Sequence, residues 1–145
     1  MGQQQLLLLV LGIVIVGLAV VVGIQAFSEN MKKANADALV NDAVRIASDI
    51  QAWKLKPAAF GGGADASGFT GLTWAKLGYT TNADGDFENL NGTFTLDAAT
   101  DTDAPTVTAS SIEDSDNDNQ VLVTIAGTSL SDITTAVSTV DDAAA

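Results

Sequence analysis

Hydrophobic positions follow two successive patterns along the first 56 residues. From Leu6 to Ile24 the chain reads LLLLVLGIVIVGLAVVVGI, nineteen residues with no charge and no strongly hydrogen-bonding side chain. At about 1.5 Å per residue an α-helix of that length covers roughly 28 Å, close to the ~30 Å hydrocarbon layer of a bilayer. A helix that is apolar on every side needs lipid or like neighbours around it. The preceding residues, Met1-Gly2-Gln3-Gln4-Gln5, supply no basic start, and the run is longer than a signal-peptide core, so a retained anchor is expected. After Gln25 the pattern changes. Apolar residues now recur at Ala36, Leu39, Ala43, Ile46, Ile50 and Trp53, in steps of three and four that define one face of a helix. Val40, Val44 and Ala47 widen that face. Lys54 and Lys56 suit the negative end of a helix, Pro57 cannot continue it, and Gly61-Gly62-Gly63 follow. The prediction is one helix from about Gln3 to about Lys56, apolar first and amphipathic second.

Gly12, Gly17 and Gly23 interrupt the apolar run. Two readings stand side by side. Glycine permits close packing of membrane helices, and it also marks candidate edges of a helix break, with Gly17 the favoured edge.

The remainder changes character. Residues 57–92 are rich in Gly, Ala, Thr, Asn and Asp and predict a structured loop, docked by Phe69, Leu72, Trp74, Leu77 and Tyr79, with a helical turn over Leu72–Leu77. Thr93–Leu96, Pro105–Ala109 and Gln120–Ala126 alternate or are rich in β-branched residues, as strands are. In the tail, Leu130, Ile133, Val137 and Val140 fall at helical spacing, which predicts a short helix over 129–140. So few strands cannot enclose a core alone, and the apolar stripe Leu39–Trp53 is their natural partner. The expected fold class is α+β: a long N-terminal helix packed by a small antiparallel β-sheet head. Its segments are 1–25 (membrane or filament-core helix), 26–56 (amphipathic helix continuing into the head) and 57–145 (acidic, loop-rich β head).

Charge sharpens the division. Residues 1–60 hold five bases and four acids, whereas residues 61–145 hold one base and fourteen acids. With no Cys, no His and a single Arg, thiol chemistry and the commonest general base and metal ligand are excluded. Direct nucleic-acid binding is not expected of so acidic a surface. The inventory predicts a protein that is not an enzyme and holds no cofactor. Ca²⁺ is the one metal with candidate ligands, in Asn82, Asp84, Asp86 and Glu88 around Gly85, and again in Glu113–Asn119. Neither cluster matches an EF-hand, and a solvated acidic loop is the simpler reading. Asn91-Gly92-Thr93 fits the N-glycosylation pattern, although a β-turn already accounts for Asn-Gly. Trp53, Trp74, Tyr79 and the five Phe read as core residues.

The apolar run, its unbroken amphipathic continuation SENMKKANADALVNDAVRIASDIQAW and a small β head together resemble the type IV pilin superfamily. The likeness covers about the first 55 residues by sequence character and the head by architecture alone. It implies a structural subunit of an extracellular helical filament at the cell surface. Such a subunit is held in the inner membrane before assembly and then packs against copies of itself through Leu6, Leu9, Ile13, Val16, Val20 and Ile24. The resemblance also implies a pilus assembly machinery as partner. There are departures. The family's usual early glutamate is replaced by Gln3-Gln4-Gln5, the helix lacks the usual proline, and the head has no Cys for a disulfide. The family's basic leader is expected either to have been removed before Met1 or to be missing from this lineage. Two other functions fit the same pattern: a monomeric single-span membrane protein with an acidic extracytoplasmic binding domain, and a pseudopilin of a secretion system.

Overall fold

The computed structural model describes residues 2–98, 104–112 and 118–140. Helix α1 runs from Gly2 to Leu55, and the chain forms two compact units, Met1–Ala34 and Asn35–Ala145. The described residues of the first unit all belong to α1.

In the second unit the remainder of α1 packs on a five-stranded antiparallel sheet. The strands are β1 (Phe87–Glu88), β2 (Gly92–Asp97), β3 (Thr106–Ser111), β4 (Asp118–Ile125) and β5 (Ile133–Val140), in spatial order β1-β2-β3-β4-β5. Each strand therefore pairs with its sequence neighbour. The registers Phe94↔Ala109, Val107↔Val123 and Val121↔Val137 place the apolar residues of neighbouring strands on one face. On α1, Leu39, Ala43, Ile46, Ala47, Ile50 and Trp53 are buried, and Phe94, Val107, Ala109, Val121, Val123 and Ile125 complete the same core. The stripe predicted from periodicity is thus the helix's contribution to the core, joined by Phe69, Leu72 and Trp74 from the loop.

The end of α1 is built by the glycine run. Past Pro57 a 3₁₀ turn (Ala58–Phe60) leads to Gly61, at φ +80°, and the chain folds back over the last helical turn. The Gly63 and Ala64 amides donate to the Trp53 and Lys56 carbonyls, at the point where the helical ladder runs out of donors of its own. A Cβ on Gly62 would lie 2.0 Å from the Lys56 carbonyl oxygen, and one on Gly63 would lie 2.4 Å from the Trp53 ring. Close approach, more than a helix stop, is why glycine stands there.

Helix α2 (Trp74–Leu77) fulfils the predicted helical turn, and β2, β3 and β4 fall on the three predicted strands. The tail corrects its prediction. Residues 133–140 form β5, paired with β4 along its whole length, and only Leu130–Asp132 make a 3₁₀ turn. Ile133 and Val137 are four apart, which puts them on one face of a helix and equally on one face of a strand. The Thr and Ser residues between them decide for the strand. The aromatic residues need a second correction. Phe69 and Phe94 are buried and Phe87 is partly buried, but Phe27 and Phe60 are exposed.

Candidate functional site

All fifteen Leu, Ile and Val side chains between Leu6 and Ile24 are exposed, Val16 to 63% and Ile24 to 65%. The same holds for Leu6, Leu9, Ile13 and Val20. The helix around them is long and apolar enough to cross a membrane, and none of its most apolar window is buried within the chain. At about 2 kcal/mol for burying each such side chain, this surface stands to gain on the order of 30 kcal/mol on leaving water. Contiguous apolar area on that scale marks a membrane or assembly surface.

The helix is continuous through Gly12, Gly17 and Gly23, so a break, one of the two readings of these glycines, is not a feature of the isolated chain. A Cβ on any of the three would meet nothing within 4 Å. Their missing side chains therefore serve no contact made within the chain itself. At 100° per residue, Gly12, Ala19, Gly23 and Ala26 fall on one side of the helix. Ala19 and Gly23 are four apart, the small-xxx-small spacing that lets helix backbones approach. The spacing joins an alanine to a glycine, so no GxxxG repeat marks it in the sequence.

In the second unit the polar side chains of α1 flank the buried stripe and fasten the loops. Asn35 Nδ2 donates to the Asn91 carbonyl at 3.1 Å. Asp42 Oδ2 accepts from Asn89 Nδ2 at 2.9 Å and from Asn91 Nδ2 at 2.7 Å. Gln51 Nε2 donates to the Gly127 and Ser129 carbonyls, each at 2.9 Å. Lys54 Nζ reaches the Gly63 and Ala66 carbonyls, and Trp53 Nε1 donates to the Gly61 carbonyl. The Tyr79 hydroxyl donates to Asp49 Oδ2 at 2.5 Å. Burial of that phenol, reinforced by the carboxylate it faces, pushes its pKa up to about 12. None of these long-range pairs is legible in sequence, because each joins residues whose types are ordinary on any helix surface.

Two of the candidate sites look different once their partners are known. The Asn82 side-chain oxygen accepts from the Asp84 and Asp86 amides, each at 3.0 Å, and Gly85 adopts φ +91°. That oxygen closes a turn, and Asn82 Nδ2 is 3.4 Å from Glu88. Among the described residues no three acidic side chains come together to hold a metal ion, so the candidate Ca²⁺ ligands Asp84, Asp86 and Glu88 are not gathered into a cluster. Of the second cluster, residues 113–117 lie outside the described residues. Asn91, the glycosylation candidate, has its side-chain nitrogen engaged by Asp42 and its backbone in the turn before β2. No protein-family model, curated protein or solved structure matches the chain.

Proposed function

We propose that this chain is the structural subunit of an extracellular helical filament of the type IV pilus kind. On this reading the subunit waits in the inner membrane and is assembled by a dedicated machinery. It then buries Leu6–Ile24 among copies of the same segment, leaving the acidic unit outside. The observation that carries the reading is the wholly exposed apolar surface of residues 6–24, on a helix that also supplies the core of a folded unit. A single-span anchor needs only the first of these properties. The Gly12–Ala19–Gly23–Ala26 seam adds support, because lipid does not require small residues on one side of a helix, whereas close helix packing does.

Val16→Asp tests the proposal. A charge at that position would be buried without a partner in a filament core, at a cost of several kcal/mol. Electron microscopy of material sheared from cells should show filaments with the native chain and none with the variant. Normal filaments from Val16→Asp, or no filaments from the native chain, would refute the reading.

A further inference from the structure

Residues 35–145 hold four bases against seventeen acids, a net of −13, and the four bases are not scattered. Lys54 is turned inward to the Gly63 and Ala66 carbonyls. The other three, Arg45, Lys56 and Lys76, line a single shallow cleft of about 430 Å³ between α1 and the turn Leu77-Gly78-Tyr79. Asp49 is the one acid on its wall, and its Oδ2 accepts a hydrogen bond from the Tyr79 hydroxyl. Lys76 is held in place: its Nζ donates to the Gly71 carbonyl at 2.6 Å and stands 5.7 Å over the Trp53 ring. The Arg45 and Lys56 side chains are exposed and make no hydrogen bond to another described residue. Arg45 also borders an adjoining hollow of about 310 Å³. The cleft therefore presents two uncommitted cations and one oriented ammonium on a unit that is otherwise strongly negative.

We propose that this cleft receives carboxylates from the acidic surface of a second copy of the chain, so that neighbouring units attract each other locally despite their like net charge. The inference rests on the filament reading. A free polyanion such as a nucleic acid would meet the same negative surface with nothing else to hold it there. A second copy is brought alongside by the apolar segment, at an effective concentration in the millimolar range. At physiological salt the Debye length is about 8 Å, so repulsion between distant acids is screened while a carboxylate seated in the cleft keeps its attraction.

Carbodiimide cross-linking of intact sheared filaments tests this. The reagent joins a lysine amine to a carboxylate in contact with it as an amide, with loss of water. The expected result is a covalent dimer at twice the 14.8 kDa chain mass. Its tryptic peptides should link Lys56 or Lys76 to an Asp- or Glu-bearing peptide. The double variant Lys56→Arg with Lys76→Arg keeps the charge but removes both amines, and should lose that dimer while still forming filaments. In 1 M salt, where the Debye length is about 3 Å, the yield should fall roughly threefold or more. Filaments whose dimers are linked only through other lysines would overturn the proposal and leave the filament reading intact. So would filaments that bind nucleic acid through Arg45, shown by loss of binding in Arg45→Glu. Absence of filaments altogether would instead remove the reading on which the proposal rests.

Discussion

Ile50→Ala removes three carbons from a side chain with no solvent exposure, between the helix stripe and the sheet. At about 0.8 kcal/mol per buried carbon the lost transfer energy is roughly 2.4 kcal/mol, and an incompletely collapsed cavity raises this to about 3–4 kcal/mol. For a unit of about this size, 1 kcal/mol corresponds to about 4 °C in Tm, so a fall of roughly 12–16 °C is expected. The assay is near-UV circular dichroism of the full chain in detergent micelles. Its signal is well placed, because both Trp residues of the chain, Trp53 and Trp74, belong to this core. Val16→Ala, at an exposed position, serves as the control and should leave that transition unmoved. A shift below about 4 °C for Ile50→Ala, or an equal shift for Val16→Ala, would mean that the stripe is not what holds the sheet.

Tyr79 is the chain's one tyrosine, so its absorbance titration reports a single group. The midpoint should lie near 12 in the folded chain and fall towards the ordinary 10.0 in Asp49→Asn. Because the folded pKa is raised, the stability from this contact is intact below about pH 10 and is lost as pH climbs towards 12. Tyr79→Phe should flatten that part of the stability profile. Gly92→Ala would place a Cβ 2.4 Å from the Ser110 carbonyl oxygen and 2.5 Å from Leu39 Cδ2, and should cost about 1–3 kcal/mol by denaturant unfolding. Gly12→Leu with Gly23→Leu meets open space in the single chain and should leave its unfolding unchanged, yet should abolish filaments seen by microscopy. Normal filaments from that double variant would show that the small-residue seam faces no neighbour.

The parts of this molecule that could be read from sequence are those governed by a local repeat. Leu39, Ala43, Ile46, Ile50 and Trp53 announce their helix face because burial demands apolar side chains at that period. Thr93–Leu96 and Gln120–Ala126 announce strands for a similar reason. The tail defeated this logic at Ile133 and Val137, where a spacing of four satisfies both periods. β1 was not legible either, since Phe87-Glu88 is too short to show any period. The acidic loop failed differently. Its alternating oxygens are visible in sequence, but the direction of the Asn82 oxygen, towards its own backbone amides, is set by a turn that only the fold reveals. The basic cleft is not legible in sequence because Arg45, Lys56 and Lys76 are spread along the chain and meet only when α2 docks beside α1.

The order in which the core is written into the chain has a consequence for biogenesis. A ribosome releases α1 first, with Leu39, Ile46, Ile50 and Trp53 uncovered and no sheet to receive them. The strands then appear in the order in which they pair, so each hairpin can close as soon as it is made. Closure over the helix waits for the end: Gln51 takes its partners at Gly127 and Ser129, and β5 reaches Val140. A chain terminated before β4 would therefore carry an apolar helical stripe without Val121, Val123 and Ile125, a third of the buried residues that cover it. It would be a ready substrate for proteases, whereas one synthesised through β5 would conceal that signal.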